Sequence, residues 1–135
     1  MTKAMILTKA VPVFEEAGDL VAAYLFGSRE NGDFRPQSDA DFGVLFHGSI
    51  DLSYLIRIQQ KLEDTLGLRV DLIDLRSAGS FLALDIIRGI RFLCKDETLC
   101  DEFELFVLSR AGDLAFIERQ RRALLLHGEI DVSGQ

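Results

Sequence analysis

The feature that most limits the fold is an unbroken apolar run of six residues, Val21–Phe26. The run is too short for a helix, and glycines and polar residues bound it on both sides, so it predicts a buried strand. Arg29–Gln37 follows as a stretch of turn formers without periodicity, and a second strand is predicted over about Ala40–Phe46. The two strands are therefore expected to be joined by one polar loop.

Helical and strand-like patterns alternate along the rest of the chain, which predicts the order α-β-β-α-β-α-β-α. This order indicates an α/β (α+β) fold, with a mixed sheet of about four strands flanked by helices and a long C-terminal helix. One domain is expected over residues 1–135, with a core at about 20–95 and the last helix at about 98–127. The other predicted elements are a helix over about Met5–Glu16, a helix capped by Ser53 and ended by Gly67, a strand over Arg69–Leu75, a helix over Phe81–Arg88, a strand over Ile90–Cys94 and a helix from Thr98 to about Leu126.

Two carboxylates, Asp39 and Asp41, stand where the second strand begins. Residues two apart in an extended strand project from the same face, so these side chains would lie together. Because such close like charges repel each other, the pair is stable mainly with a cation between them. Oxygen ligands select Mg²⁺ or Mn²⁺ rather than zinc. Paired carboxylates that hold two such ions about 4 Å apart carry out phosphoryl and nucleotidyl transfer.

A third acid, Asp71, begins the strand that is expected beside the first two acids. It is predicted to bind the first metal ion and to accept a proton from an acceptor hydroxyl. In the same strand, Val70, Leu72 and Leu75 are expected on one face and Asp71 with Ile73 on the other.

A possible phosphate site begins with Gly27 and Ser28, which follow the first strand. Glycine lets the backbone approach a phosphate, and the Ser28 hydroxyl can donate a hydrogen bond. Arg29 and Arg35 are the nearby sources of positive charge. Each motif alone has an ordinary interpretation, a turn for Gly-Ser and a solvated pair for Asp-x-Asp. Their joint order and spacing favour a functional site.

This spacing resembles that of the DNA polymerase β-like nucleotidyltransferases, and in particular the minimal nucleotidyltransferases, which include MntA-type antitoxins paired with HEPN ribonuclease toxins. The resemblance covers about residues 20 to 95. It rests on Gly27-Ser28, ten intervening residues, Asp39-x-Asp41 and the acidic strand Val70–Leu75. A departure lies before Gly32, where Glu30 and Asn31 stand in place of the Ala-Arg of related loops.

The resemblance implies a role for each site residue. Asp39 and Asp41 would bind both metals, and Asp71 the first metal and the acceptor. The implied cofactors are two Mg²⁺ ions, or Mn²⁺, with ATP as the substrate. The implied reaction moves AMP to a hydroxyl, such as a tyrosine on a cognate HEPN toxin. The residues implied in nucleotide binding are Gly27, Ser28, Arg29 and Ser38.

Charge and hydropathy exclude several other classes. The chain has 15 basic and 22 acidic residues and a net charge of −7, so stable nucleic-acid binding is not expected. No window approaches the roughly 20 apolar residues of a membrane-spanning helix, and a cytoplasmic protein is expected. Cys94 and Cys100 are interpreted as reduced thiols, and His47 as a surface residue. The oligomeric state stays open.

The last predicted helix carries an apolar stripe formed by Phe103, Phe106, Leu114 and Ile117. Such a stripe is typical of core packing or of contact with a partner. Two alternatives to an antitoxin enzyme stay open: a binding protein that masks its partner without catalysis, and a nucleotidyltransferase that acts on a small molecule or RNA.

Overall fold

The structure is a computed structural model that describes residues 2–27 and 40–127, without the side chains of 113–118, 120, 121 and 123–127. Within these residues no helix is long and apolar enough to cross a membrane. The predicted order of elements is confirmed. The elements are α1 (Lys3–Glu15), β1 (Leu20–Phe26), β2 (Ala40–Phe46), α2 (Leu52–Leu66), β3 (Val70–Asp74), a 3₁₀ turn (Leu75–Ser77), α3 (Ser80–Ile87), β4 (Ile90–Cys94) and α4 (Glu97–His127).

The start of α2 differs from the prediction. Asp51, not Ser53, is the N-cap residue, and Ser53 lies inside the first turn. The backbone carbonyl of Asp51 already accepts hydrogen bonds from the amides of Tyr54 and Leu55, so the helix begins before Ser53 can act as a cap. The predicted end at Gly67 is confirmed, and this glycine takes the left-handed conformation with a φ of 67°.

The four strands form one mixed sheet in the order β3-β2-β1-β4. β1 runs antiparallel to both β2 and β4, whereas β2 and β3 run parallel. The parallel pair begins where the amide of Ala40 donates a hydrogen bond of 2.9 Å to the carbonyl of Arg69. The last residue of β1, Phe26, pairs with Asp41 near the start of β2. The end of β1 and the beginnings of β2 and β3 therefore meet at one end of the sheet.

The sheet separates two layers of helices. One face packs against α1 and α2, and Phe14, Phe42 and Phe92 cluster there with ring centroids 5.5–5.8 Å apart. The opposite face packs against α3 and α4. Alternation along the strands assigns successive residues to opposite layers. Each face of the sheet therefore packs against two of the helices predicted from the sequence.

The prediction that Leu75 shares a face with Val70 and Leu72 is wrong. Val70 and Leu72 pack towards α1 and α2, whereas Leu75 joins Ile73 in the layer of α3 and α4. Leu75 follows Ile73 by two positions and begins the 3₁₀ turn, since β3 already ends at Asp74. The side chain of Asp74 accepts a hydrogen bond from the amide of Arg76 and caps this turn. Asp74 therefore has a structural role at the end of β3.

A hydrogen-bond network attaches α4 to the sheet. The fully buried Tyr24 on β1 donates a hydrogen bond of 2.5 Å to Glu104 on α4. Arg91 on β4 also reaches Glu104, at 2.8 Å, and Asp101, at 3.2 Å. Burial, reinforced by Glu104, raises the pKa of Tyr24 far above its ordinary value, so the phenol stays protonated and remains a donor.

Candidate active site

Two of the three predicted acids, Asp41 and Asp71, lie side by side. They are paired residues in the parallel register of β2 and β3, and strands in a sheet lie about 4.8 Å apart. Both side chains belong to the face that carries α3 and α4, because Gly43, two positions after Asp41, packs against Ile86 of α3. Asp41 is half-buried and Asp71 is exposed. The expected proximity of these two acids is confirmed.

Gly27 brings the backbone against one of these carboxylates. It follows β1 with a φ of 77°, a conformation that other residues adopt only at a cost. A Cβ at this position would lie 2.5 Å from Oδ2 of Asp41. Both the backbone angle and the available space therefore require glycine here, and the turn that starts at Gly27 leaves β1 directly beside Asp41.

Close packing of α3 supports this end of the sheet. A Cβ on Gly43 would overlap the side chain of Ile86, and a Cβ on Gly89 would overlap the carbonyl oxygen of Leu25. The two glycines allow α3 and the chain that follows it to contact the sheet closely. The close contact at Gly43 was not predicted from the sequence, although a glycine inside a strand pattern is a signal for close approach.

Four other predicted site residues, Ser28, Arg29, Ser38 and Asp39, lie outside the described residues, as does Arg35. Their assignments stay predictions. Within residues 2–27 and 40–127 no group of three or more metal-binding side chains occurs, so a set of three carboxylates would need a residue outside these ranges, for which Asp39 is the predicted one. The donors that are described fit Mg²⁺, which is commonly held by one or two carboxylates together with substrate phosphates.

The histidine and the two cysteines noted in the sequence lie apart from Asp41 and Asp71. His47 is exposed, as predicted for a surface histidine. Cys94 and Cys100 are free thiols. Burial, together with a hydrogen bond to Cys94, raises the pKa of the Cys100 thiol to about 12, so this cysteine is protonated and unreactive at neutral pH.

One end of the sheet thus brings two facing carboxylates together at the start of two parallel strands, with Gly27 against one of them. The sequence model of the family described as polymerase beta, nucleotidyltransferase matches residues 8–98. The chain belongs to this nucleotidyltransferase family. The fold and the class of enzyme predicted from the sequence are confirmed by this match.

Two similar proteins extend the comparison. The chain is 30% identical over 102 residues to the protein adenylyltransferase MntA of Shewanella oneidensis, an alignment that covers 76% of this chain and 71% of that protein. It also resembles a chain in the crystal structure of a toxin-antitoxin with AMP-PNP, at 26% identity and a TM-score of 0.72, over 88% of this chain and 94% of that chain.

A third similarity concerns the fold alone. A solved complex of a tri-AMPylated Shewanella oneidensis HEPN toxin with an MNT antitoxin contains a chain of TM-score 0.65 and 24% identity. The match covers 92% of this chain and 96% of that one. The resemblance to minimal nucleotidyltransferases that was recognised in the sequence therefore extends to the three-dimensional structure.

Proposed function

We propose that this nucleotidyltransferase transfers AMP from ATP to a hydroxyl group on a protein partner, and that the partner is a HEPN-type toxin that the modification silences in the cytoplasm. The observation that carries the proposal is the juxtaposition of Asp41, Asp71 and Gly27 at one end of the sheet. The carboxylate donors favour Mg²⁺, and the similar toxin-antitoxin solved with AMP-PNP supports ATP as the substrate.

The described residues have separate tasks in this reaction. Gly27 leaves room for a phosphate to approach the backbone beside Asp41. Asp41, which is half-buried, would hold Mg²⁺ together with Asp39, and the ion would neutralise charge on the phosphates. The exposed Asp71 is open to an acceptor from solvent and would accept the proton of its hydroxyl. The acceptor oxygen then bonds to the α-phosphorus, and pyrophosphate leaves with the electrons of the broken bond.

Two relatives support the protein acceptor. One is a protein adenylyltransferase, and the other was solved as a toxin-antitoxin with an ATP analogue. The exposure of Asp71 agrees with an acceptor that arrives on a macromolecule. A partner that docks can supply the orientation that a closed pocket supplies for a small substrate.

The test uses labelled ATP, GTP, CTP and UTP with Mg²⁺ and the toxin encoded beside this chain. We expect label from ATP to appear on the toxin and the mass of the toxin to increase by whole AMP units. Asp41→Asn combined with Asp71→Asn should abolish labelling. Asp64→Asn, which changes an exposed acid on α2, is the matched control and should label the toxin normally.

Three outcomes would overturn the proposal. Full labelling by the Asp41→Asn/Asp71→Asn variant would place the chemistry elsewhere. Neutralisation of the toxin by that variant, with no label in the wild-type reaction, would show that the protein masks its partner by binding alone. Label on RNA or a small molecule, and not on the toxin, would move the acceptor to another class.

A further inference from the structure

A row of two aromatic side chains with an arginine at each end runs along the outside of the layer formed by α3 and α4. The guanidinium carbon of Arg76 lies 5.9 Å from the ring centre of Phe103, and that of Arg110 lies 5.5 Å from the ring centre of Phe106. The two rings are 6.3 Å apart. Arg76, Phe103, Phe106 and Arg110 therefore form one continuous ladder.

The ladder borders a groove between α3 and α4. We call it the α3–α4 groove; its lining includes Leu75, Ala83, Phe103, Phe106 and Val107, with Arg76 and Arg110 as its charged members. The volume is about 230 Å³, below the roughly 300–1,000 Å³ of typical small-molecule sites. The groove is suited to a few apolar side chains of a docked helix rather than to a whole metabolite or cofactor.

Large apolar side chains are exposed in the groove and elsewhere on the two helices that border it. Phe106 is 53% exposed, and Phe81, Leu82 and Leu105 on the same two helices are also large and exposed. Exposed aromatic side chains that stack against arginines are the residue types that dominate binding energy in protein interfaces. A partner that covers this surface would remove substantial apolar area from water.

The arginines are held in place before any partner arrives. Arg76 donates one hydrogen bond of 2.9 Å to the carbonyl of Phe46 and a longer one to that of His47, which leaves other donors of its guanidinium for a ligand. Among the described side chains no carboxylate forms an ion pair with Arg76 or Arg110. An already ordered arginine loses less conformational entropy when it binds a carboxylate.

We propose that the α3–α4 groove is the docking site for the protein acceptor, which would insert the apolar side of an amphipathic helix and place acidic side chains against Arg76 and Arg110. The proposal rests on the proposed function, because that function requires a protein partner. Charge complementarity identifies the acidic character of the helix, since this surface is cationic on a chain whose net charge is −7.

A second cationic groove favours a partner longer than one short peptide. It also lies between α3 and α4, has a volume of about 530 Å³ and is lined by Leu84, Arg88, Leu108, Arg119 and Arg122 among others.

A second copy of the chain is an alternative partner, because the acids at the start of its α4 could supply the negative charge. Two of them, Asp101 and Glu104, are already bound to Arg91 within their own chain, and this favours a different protein.

The position of the α3–α4 groove separates docking from chemistry. Arg76 contacts Phe46 at the end of β2, whereas Asp41 lies five residues earlier, near its beginning. Five residues of extended strand span roughly 17 Å. Changes in the groove should therefore weaken binding of the acceptor without changing nucleotide binding or the chemical step. In kinetic terms the KM for the protein acceptor should rise while kcat is retained.

The experiment compares Phe106→Ala and Arg110→Glu with Ile56→Ala and Arg57→Glu, which change exposed residues of the same types on α2, across the sheet. Affinity for the toxin is measured by calorimetry, and the kinetics of toxin adenylylation are measured in parallel. We expect each groove variant to weaken binding at least ~10-fold, as for interface hot spots, with a matching rise in KM. The α2 variants should behave as wild type.

Salt and nucleotide binding supply two further measurements. Binding of the wild-type protein should weaken as the ionic strength approaches about 1 M, where the Debye length is ~3 Å, and Arg110→Glu should reduce this dependence. All variants should bind ATP with Mg²⁺ equally well, which also shows that they are folded.

Two results would overturn the docking proposal. One is an unchanged affinity and KM for both groove variants while the wild-type protein adenylylates the toxin; the proposed function would then survive without this docking site. Another is a change in oligomeric state, measured by sedimentation of Arg110→Glu without toxin. That change would assign the groove to a second copy of the chain. If the toxin binds through the groove but is never labelled, the docking site stands and the proposed function fails.

Discussion

Replacement of Gly27 by alanine is expected to strain the backbone and also to displace a carboxylate of the active site. Its φ of 77° lies in the left-handed region, which costs a residue with a Cβ about 1–2 kcal/mol. The new Cβ would also lie 2.5 Å from Oδ2 of Asp41, whereas ordinary contacts begin at about 3.5 Å. The carboxylate would therefore have to move by about 1 Å, a displacement that lowers catalytic rates by as much as ~100-fold.

Gly67→Ala is the matched control. Gly67 has nearly the same φ, 67°, but no atom lies within 4 Å of the position of its missing Cβ. Both variants should lose about 1–2 kcal/mol in the free energy of unfolding, measured by urea denaturation. Only Gly27→Ala should lose transfer activity, by roughly 10²-fold in kcat with ATP and Mg²⁺ at saturation.

The reasoning would be refuted if Gly27→Ala retained the wild-type kcat, because Asp41 would then tolerate a displacement that the proposed chemistry forbids. It would also be refuted if Gly67→Ala lost activity to the same extent, since strain alone would then account for the effect.

Three further results are expected. Gly43→Ala should lower the free energy of unfolding by about 1–3 kcal/mol because its methyl group would overlap Ile86; Gly48→Ala, with open space around it, is the control in thermal denaturation. The raised pKa of Tyr24 implies stabilisation that is complete below the unfolded pKa of about 10 and is lost as pH rises above it, by up to ~1.4 kcal/mol per pH unit. Tyr24→Phe should remove that part of the alkaline slope in urea denaturation, and an unchanged slope would contradict the assignment. ATP should raise the melting temperature only with Mg²⁺, because the acids otherwise repel the triphosphate; equal stabilisation in EDTA would count against the metal site.

Sequence alone was sufficient for the order of the elements and for the enzyme family. The apolar run that forms β1 and the left-handed cap at Gly67 depend on nearby residues, and their positions were predicted to within a few residues. The spacing from Gly27-Ser28 to Asp39-x-Asp41 identified the enzyme family, because it specifies both the residue types and their separation along a strand and loop.

Tertiary structure decided what depends on residues far apart in the chain. Local pattern could not show that Leu75 leaves the face of Val70 and Leu72, since the strand ends where the Asp74 side chain caps a turn. The same holds for the contact of Arg76 with Phe103, since only the folded chain brings the 3₁₀ turn beside α4. Register and helix packing follow from long-range burial and close approach, as at Gly43, and these are properties of the folded chain rather than of any short segment.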